Sequence, residues 1–94
     1  MSETESKYDS SLLSNAELLL AIDQGTTSSR AIVFSKRGEI ATVAQRELPL
    51  IYPKDGWVEQ NAEQIWTDTQ AVCREVLAQV ASAGGRVVSI GITN

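Results

Sequence analysis

The apolar positions of this chain fall into runs whose spacing changes from one segment to the next. The first run is uninterrupted, Leu18 to Ile22, and it stops at the carboxylate of Asp23. A run of that length closed by a turn signal suits a strand buried on both faces, so a first strand is expected over about Leu18 to Asp23. A second run, Ala31 to Phe34, predicts a strand over about Arg30 to Ser35. Lys36-Arg37-Gly38 then reads as a turn with Gly38 at positive φ. The third strand runs over about Glu39 to Glu47, with Ile40 and Thr42 sharing one face and Ala41 and Val43 the other. Together these make a three-stranded antiparallel meander. Pro49 to Gln60 breaks the pattern: Tyr52-Pro53-Lys54-Asp55-Gly56 is turn chemistry, and Trp57 reads as a loop aromatic pinning the segment to the core.

The period then lengthens. Ile65, Thr69, Val72, Cys73, Val76, Leu77 and Val80 share one helical face, and Asp68, Gln70, Arg74, Glu75 and Gln79 lie mostly on the solvated remainder. Asn61 caps the start, with Gln64 placed as in a capping box, and Gly84-Gly85 ends the helix. Arg86 to Asn94 reads as a last strand, in which Val88, Ile90 and Ile92 alternate with Val87, Ser89 and Gly91. A glycine inside a strand, Gly91, suggests close approach of another backbone or a ligand. Strand, helix, strand in this order is a right-handed crossover, which sets the last strand parallel to the first. Residues 1–16 are polar, Ser-rich and aperiodic, and read as a disordered leader in which Leu12 and Leu13 are too few to make an element.

Composition narrows the function classes. At 94 residues the chain is at most one domain. A net charge of -4 argues against a binder of nucleic acid or anionic membrane. The one cysteine, Cys73, allows no disulfide within the chain, and its place on the apolar helix face suits an inert thiol. The absence of histidine excludes Ser-His-Asp chemistry and histidine metal sites within these residues. No basic region precedes a long apolar core, and no run approaches the ~20 residues of a membrane span, so the expectation is a cytoplasmic protein.

The candidate chemistry lies between the first two strands. Asp23, Gly25, the hydroxyls of Thr26, Thr27, Ser28 and Ser29, and Arg30 crowd into one short loop. Such a loop suits a polyphosphate: glycine lets the backbone approach, successive N–H groups converge on an anion, and hydroxyls add donors. Asp23 at a strand end suits a magnesium ion that keeps most of its waters. The same residue types also make ordinary hairpin loops. The loop is not a Walker A motif, since no Gly-Lys-Ser/Thr follows, and Gly-x-Gly-x-x-Gly is absent.

The exact string Asp-Gln-Gly-Thr-Thr-Ser-Ser-Arg after an apolar strand resembles the first phosphate-binding motif of the actin, Hsp70 and sugar-kinase superfamily. Its Gln24 resembles the glycerol kinases of the FGGY carbohydrate kinase family in particular. Tyr-Pro-x-x-Gly-Trp-Val-Glu-Gln-Asn-x-x-x-Ile-Trp, from Tyr52 to Trp66, is similar to that family's segment between first hairpin and first helix. Ala62 stands where proline is common, a harmless departure at a first helical position. Ser-Ile-Gly-Ile-Thr-Asn, Ser89 to Asn94, resembles the lead-in to a Gln-Arg-Glu motif whose arginine and glutamate bind the glycerol hydroxyls in the family.

The resemblance covers Leu18 to Asn94. It implies an α/β fold, the opening β-β-β-α-β of a ribonuclease H-like (actin-like ATPase) domain, with residues 17–94 an incomplete N-terminal kinase domain. It implies an N-terminal fragment of a larger, homo-oligomeric enzyme that converts glycerol and ATP to sn-glycerol 3-phosphate and ADP with Mg2+. By the same resemblance, Thr26, Thr27, Ser28 and Arg30 match nucleotide-phosphate positions, Thr26 also a position near the transferred phosphoryl group, and Asp23 the magnesium-associated carboxylate. The catalytic base and the substrate-binding residues then lie beyond Asn94, since Asp9, Asp55 and Asp68 occupy the leader, a turn and a helix face, and the fragment alone is expected to be inactive. The competing expectations are a xylulokinase or gluconokinase of the same family and an Hsp70-like or actin-like ATPase. The Gly56 to Gln60 segment argues against the last.

Overall fold

The computed structural model describes residues 8–25, 27–47 and 61–93. Its elements are a one-turn 3-10 helix, Ser10–Leu13, then strands β1 (Glu17–Gln24), β2 (Ser28–Ser35) and β3 (Ile40–Glu47), helix α1 (Ala62–Ser82) and strand β4 (Arg86–Thr93). The sheet order is β3-β2-β1-β4. β1, β2 and β3 pair antiparallel, and β4 pairs parallel to β1 on its other side. This is the expected β-β-β-α-β unit. β2 starts at Ser28 rather than Arg30, because the hairpin ladder continues through Asp23↔Arg30 and Gln24↔Ser29.

The core lies on one face of the sheet. Leu18 and Leu20 of β1, Ala31 and Val33 of β2, and Ala41 and Ala44 of β3 close against Val72, Val76 and Val80 of α1. The run expected to be buried on both faces is buried on one: Leu18 and Leu20 are buried, whereas Leu19 and Ala21 are half-buried, because among the described residues α1 covers one face alone. The cover also stops short of the β4 edge, where Ile90 and Ile92 are 61% and 78% exposed. Gly91 between them has open space where a Cβ would stand, so no described residue makes the close approach expected of it. Alternation in β3 is broken by a shift in register after Val33↔Thr42, the next pair being Phe34↔Ile40. Ala41 and Thr42 are therefore both buried rather than on opposite faces. The Thr42 hydroxyl donates to Gln79 Oε1 at 2.7 Å, which satisfies it.

Both ends of α1 follow from sequence. The Asn61 side chain accepts from the N–H groups of Glu63 and Gln64. The capping box expected of Gln64 is not closed: its amide does not turn back to the Asn61 N–H but runs along the helix and donates to Asp68 Oδ1 at 2.8 Å. That bond lets Asp68 sit buried in line with Val72 and Val76, whereas Leu77, expected on the apolar face, is 41% exposed. At the other end Gly84 takes φ +74, Gly84 N–H donates to the Ala81 carbonyl and Gly85 N–H to that of Val80. These two bonds make a Schellman motif, which glycine favours because it pays no Cβ penalty at positive φ. Gly38, also at positive φ, closes the β2–β3 turn as expected, its N–H donating to the Ser35 carbonyl at 2.9 Å.

The leader corrects the sequence-based expectation. Residues 1–7 lie outside the described residues, but Ser10–Leu13 are helical, capped by Asp9, and Leu13 is buried at 3% exposure. Backbone bonds from Asp9 N–H to Ile40, Asn15 N–H to Ala83 and Arg86 N–H to Ala16 tie the segment to β3, the end of α1 and the start of β4. Burying Leu13 and pairing these groups outweighs the disorder that a polar composition suggests. The segment from Pro49 to Gln60, including Trp57, lies outside the described residues.

Two outcomes follow. A Cβ at Gly85 would collide with the Leu13 carbonyl oxygen and stand 3.2 Å from that of Ala16, both backbone atoms. Gly85→Ala should therefore lower stability by about 1–3 kcal/mol, read by urea unfolding. On the exposed surface, Glu17 is held below its ordinary pKa by hydrogen bonds from Lys36 and then Arg86, with their charges acting in the same sense. A depressed carboxylate contributes stability above its unfolded pKa and loses it as pH falls through the folded value. Glu17→Gln should flatten the acid side of the stability–pH curve, and an unchanged acid side would show that the bridges contribute nothing.

Candidate functional site

Side chains alternate across a strand, and this alternation divides the β1–β2 hairpin between two environments. Leu18, Leu20 and then Gln24 of β1 point toward α1, together with Ser29, Ala31 and Val33 of β2. Asp23, paired across the ladder with Arg30, points the other way, onto the face that α1 leaves open. Arg30 Nη2 stands 3.6 Å from Asp23 Oδ2, with side-chain exposures of 42% and 36%. At that separation and exposure the pair is a solvent-screened contact rather than a strong bridge. Both groups are therefore available to a third charge. Arg30 Nε is buried without an acceptor among the described residues.

The hairpin tip is closed by Gly25 N–H donating to the Ser28 carbonyl at 2.9 Å. A Cβ at Gly25 would meet Ser28 O at 3.5 Å and Ser28 Oγ at 3.8 Å, ordinary contacts, and its φ lies outside the positive region. The described fold thus has room for a side chain there. Thr27 is exposed at the tip, and Ser28, two residues before Arg30 on β2, shares its face at intermediate burial. Thr26 lies outside the described residues. The parallel register sets Thr93 beside Asp23, so the end of β4 reaches the same sheet end as the hairpin tip. In parallel α/β units ligands gather at the carboxyl ends of strands, and this is that end for β1 and β4.

Among the described residues no three His, Cys, Asp or Glu side chains converge to hold a metal ion. Asp23 offers a single, part-exposed carboxylate on an open face. That donor set fits magnesium held through its own waters, the ion's ordinary preference, and does not fit a closed protein cage. Burial raises the Cys73 thiol above its ordinary pKa, the direction that disfavours a reactive thiolate.

The helix-side half of the hairpin was not foreseen as a site. Ser29, 1% exposed, donates to Gln24 Oε1 at 2.8 Å, and Thr69 of α1 approaches the same oxygen at 3.1 Å. Gln24 Nε2 donates to the Gly25 carbonyl at 3.3 Å. The signal was present: once Asp23 ends an alternating strand, its neighbour must face the core, and Thr69 is the hydroxyl in the apolar stripe of α1.

Comparison with known proteins places the chain in a family. The profile of the FGGY family of carbohydrate kinases, N-terminal domain, matches residues 18–94. The glycerol kinase of Nitrosomonas eutropha is 57% identical over 82 residues, covering 87% of this chain and 16% of that protein. That of Rhodospirillum centenum is 55% identical over 76 residues, covering 81% of this chain and 15% of its own length. Among solved structures, Plasmodium falciparum glycerol kinase with ADP superposes at a TM-score of 0.78 and 25% identity, over 84% of this chain and 16% of that one. Xylulose kinase from Rhodospirillum rubrum superposes at 0.74 and 29% identity, over 81% of this chain and 16% of that one. The described elements thus correspond to a small part of much longer relatives. No helix among the described residues is long and apolar enough to cross a membrane.

Proposed function

The chain belongs to the FGGY family of carbohydrate kinases, and we propose that it forms the N-terminal part of a glycerol kinase, its β1–β2 hairpin tip serving as the first phosphate-binding loop. The observation that carries the site reading is the open-face pair of Asp23 and Arg30 beside a glycine that the described fold does not itself require. The high identity to glycerol kinases carries the choice of acceptor.

Phosphoryl transfer asks little covalent chemistry of a protein and much positioning of charge. In this reading the Gly25 backbone lets phosphate oxygens come close, and the hydroxyls of Thr26, Thr27 and Ser28 donate to them. Thr26 also contacts the phosphate of the product, which glycerol carries. Arg30 offsets charge on the ADP phosphates as it accumulates on the leaving group. Its guanidinium, screened and only loosely paired in the free hairpin, gains most where nucleotide excludes water. Asp23 would hold a magnesium ion that keeps most of its waters. When bound, that ion supplies charge neutralisation at the phosphates. The base that accepts the glycerol proton and the groups that read its hydroxyls belong to the part of the enzyme beyond residue 94.

Asp23→Ala in the full-length protein should lower kcat for glycerol phosphorylation by about 100-fold, the scale of losing one aligned charge contact in a transition state. The melting temperature should stay within a degree or two, since the side chain is half out in solvent and fills no core position. Near-normal turnover would reduce Asp23 to a turn residue. The acceptor is tested separately by comparing kcat/KM for glycerol, xylulose and gluconate with ATP. A site built to hydrogen-bond one polyol leaves donors unpaired with another, so glycerol should lead by orders of magnitude. A preference for either sugar substrate would move the protein to another branch of the family.

A further inference from the structure

The Gln24 side chain spans from the hairpin tip to α1. Its Oε1 accepts from Ser29 Oγ at 2.8 Å and from Thr69 Oγ at 3.1 Å, while its Nε2 donates to the Gly25 carbonyl at 3.3 Å. Thr69 is also 2.8 Å from the Ile65 carbonyl, so its single hydroxyl hydrogen is shared between the helix backbone and Gln24. One amide thereby connects β2, α1 and the carbonyl at which the chain leaves β1. Ser29 is 1% exposed, and without Gln24 its hydroxyl would be buried with no partner from this network.

Asp23 and Gly25 are the immediate neighbours of this anchored residue. Whatever fixes Gln24 from the helix side also fixes the backbone from which Asp23 points to the open face and Gly25 meets phosphate. We propose that Gln24 is a positioning residue for the nucleotide: it locks the phosphate loop to α1 through Thr69 and Ser29, so that the loop is set before ATP arrives. The inference rests on the functional reading above and adds to it a residue that touches no substrate. Preorganisation of this kind is what lets fixed dipoles act on a transition state without reorganising. Side chains of similar length without the amide would still fill the space but would leave the tip free to shift.

The test uses the full-length enzyme. Gln24→Met keeps length and removes all three hydrogen bonds. Thr69→Val removes the hydroxyl at the far end, on a helix that presents no proposed substrate contact, and Thr69→Ser restores it. For Gln24→Met, KM for ATP should rise about ten-fold and KM for glycerol should stay within about two-fold, since only the nucleotide side of the site loses its preset geometry. Thr69→Val should raise KM for ATP about three-fold, Thr69→Ser should return it to wild type, and the Gln24→Met/Thr69→Val double variant should be no worse than Gln24→Met alone. ADP binding by calorimetry should follow the same order. A lowered melting temperature with unchanged ATP and ADP constants would show a structural role only and overturn the inference, as would losses that simply multiply in the double variant. Should Gln24→Met fail to fold, the Thr69 pair decides alone. An active wild type with unaffected variants sinks this inference and leaves the functional reading standing. A wild type that neither binds ADP nor uses ATP overturns the reading and the inference with it.

Discussion

β1 is hydrogen-bonded on both sides, antiparallel to β2 and parallel to β4, and this double pairing leaves each of its side chains only two directions. Leu18 and Leu20 take one and build the core with α1. Asp23 takes the other. A slip of one residue would exchange the two sets, burying a carboxylate and turning leucines outward, so the apolar half of the strand fixes the register of its polar end. The arrangement of the site is in this sense a by-product of packing three to five residues away. The hairpin then carries the same rule across to β2, where Ser29 and Arg30 follow Gln24 and Asp23 into opposite environments.

Much of the fold was legible because each element carries its own punctuation. Asn61 and the Gly84-Gly85 pair bound α1, Gly38 turns the second hairpin, and the apolar runs mark the strands. What misled was depth. A continuous run such as Leu18 to Ile22 says that a strand is apolar, not how many layers cover it, and among the described residues α1 alone packs as a long helix on this sheet. Helical periodicity placed Leu77 with Val76, but the two differ by a full step of rotation. Asp68, which composition assigns to solvent, sits inward because Gln64 satisfies it. Irregularities were invisible for the same reason: the register shift that buries both Ala41 and Thr42 leaves no mark in residue type.

The site was legible as a string of residue types and illegible as an arrangement. Asp23, Ser28 and Arg30 do gather at one hairpin end, and Thr27 stands at its tip. Alternation turns the residue between Asp23 and Gly25 away from the loop's outer face, but the spacing of the string did not announce the partner it meets there, Thr69, far along the chain. Chemistry-bearing types are conspicuous in a sequence, whereas the groups that hold them still are ordinary amides and hydroxyls found in any helix or strand.

The segment from Asp9 to Ala16 has a practical side. It precedes the first strand, is rich in serine, and begins where most chains are only loosely held. Yet Leu13 is a full member of the core, and the segment's backbone meets β3, the end of α1 and the start of β4. A protease site, fusion partner or trimmed start placed just ahead of Glu17 would therefore not remove a tail. It would lift a plug from the joint between helix and sheet and leave the carbonyl of Ala83 and the N–H of Arg86 to find water instead.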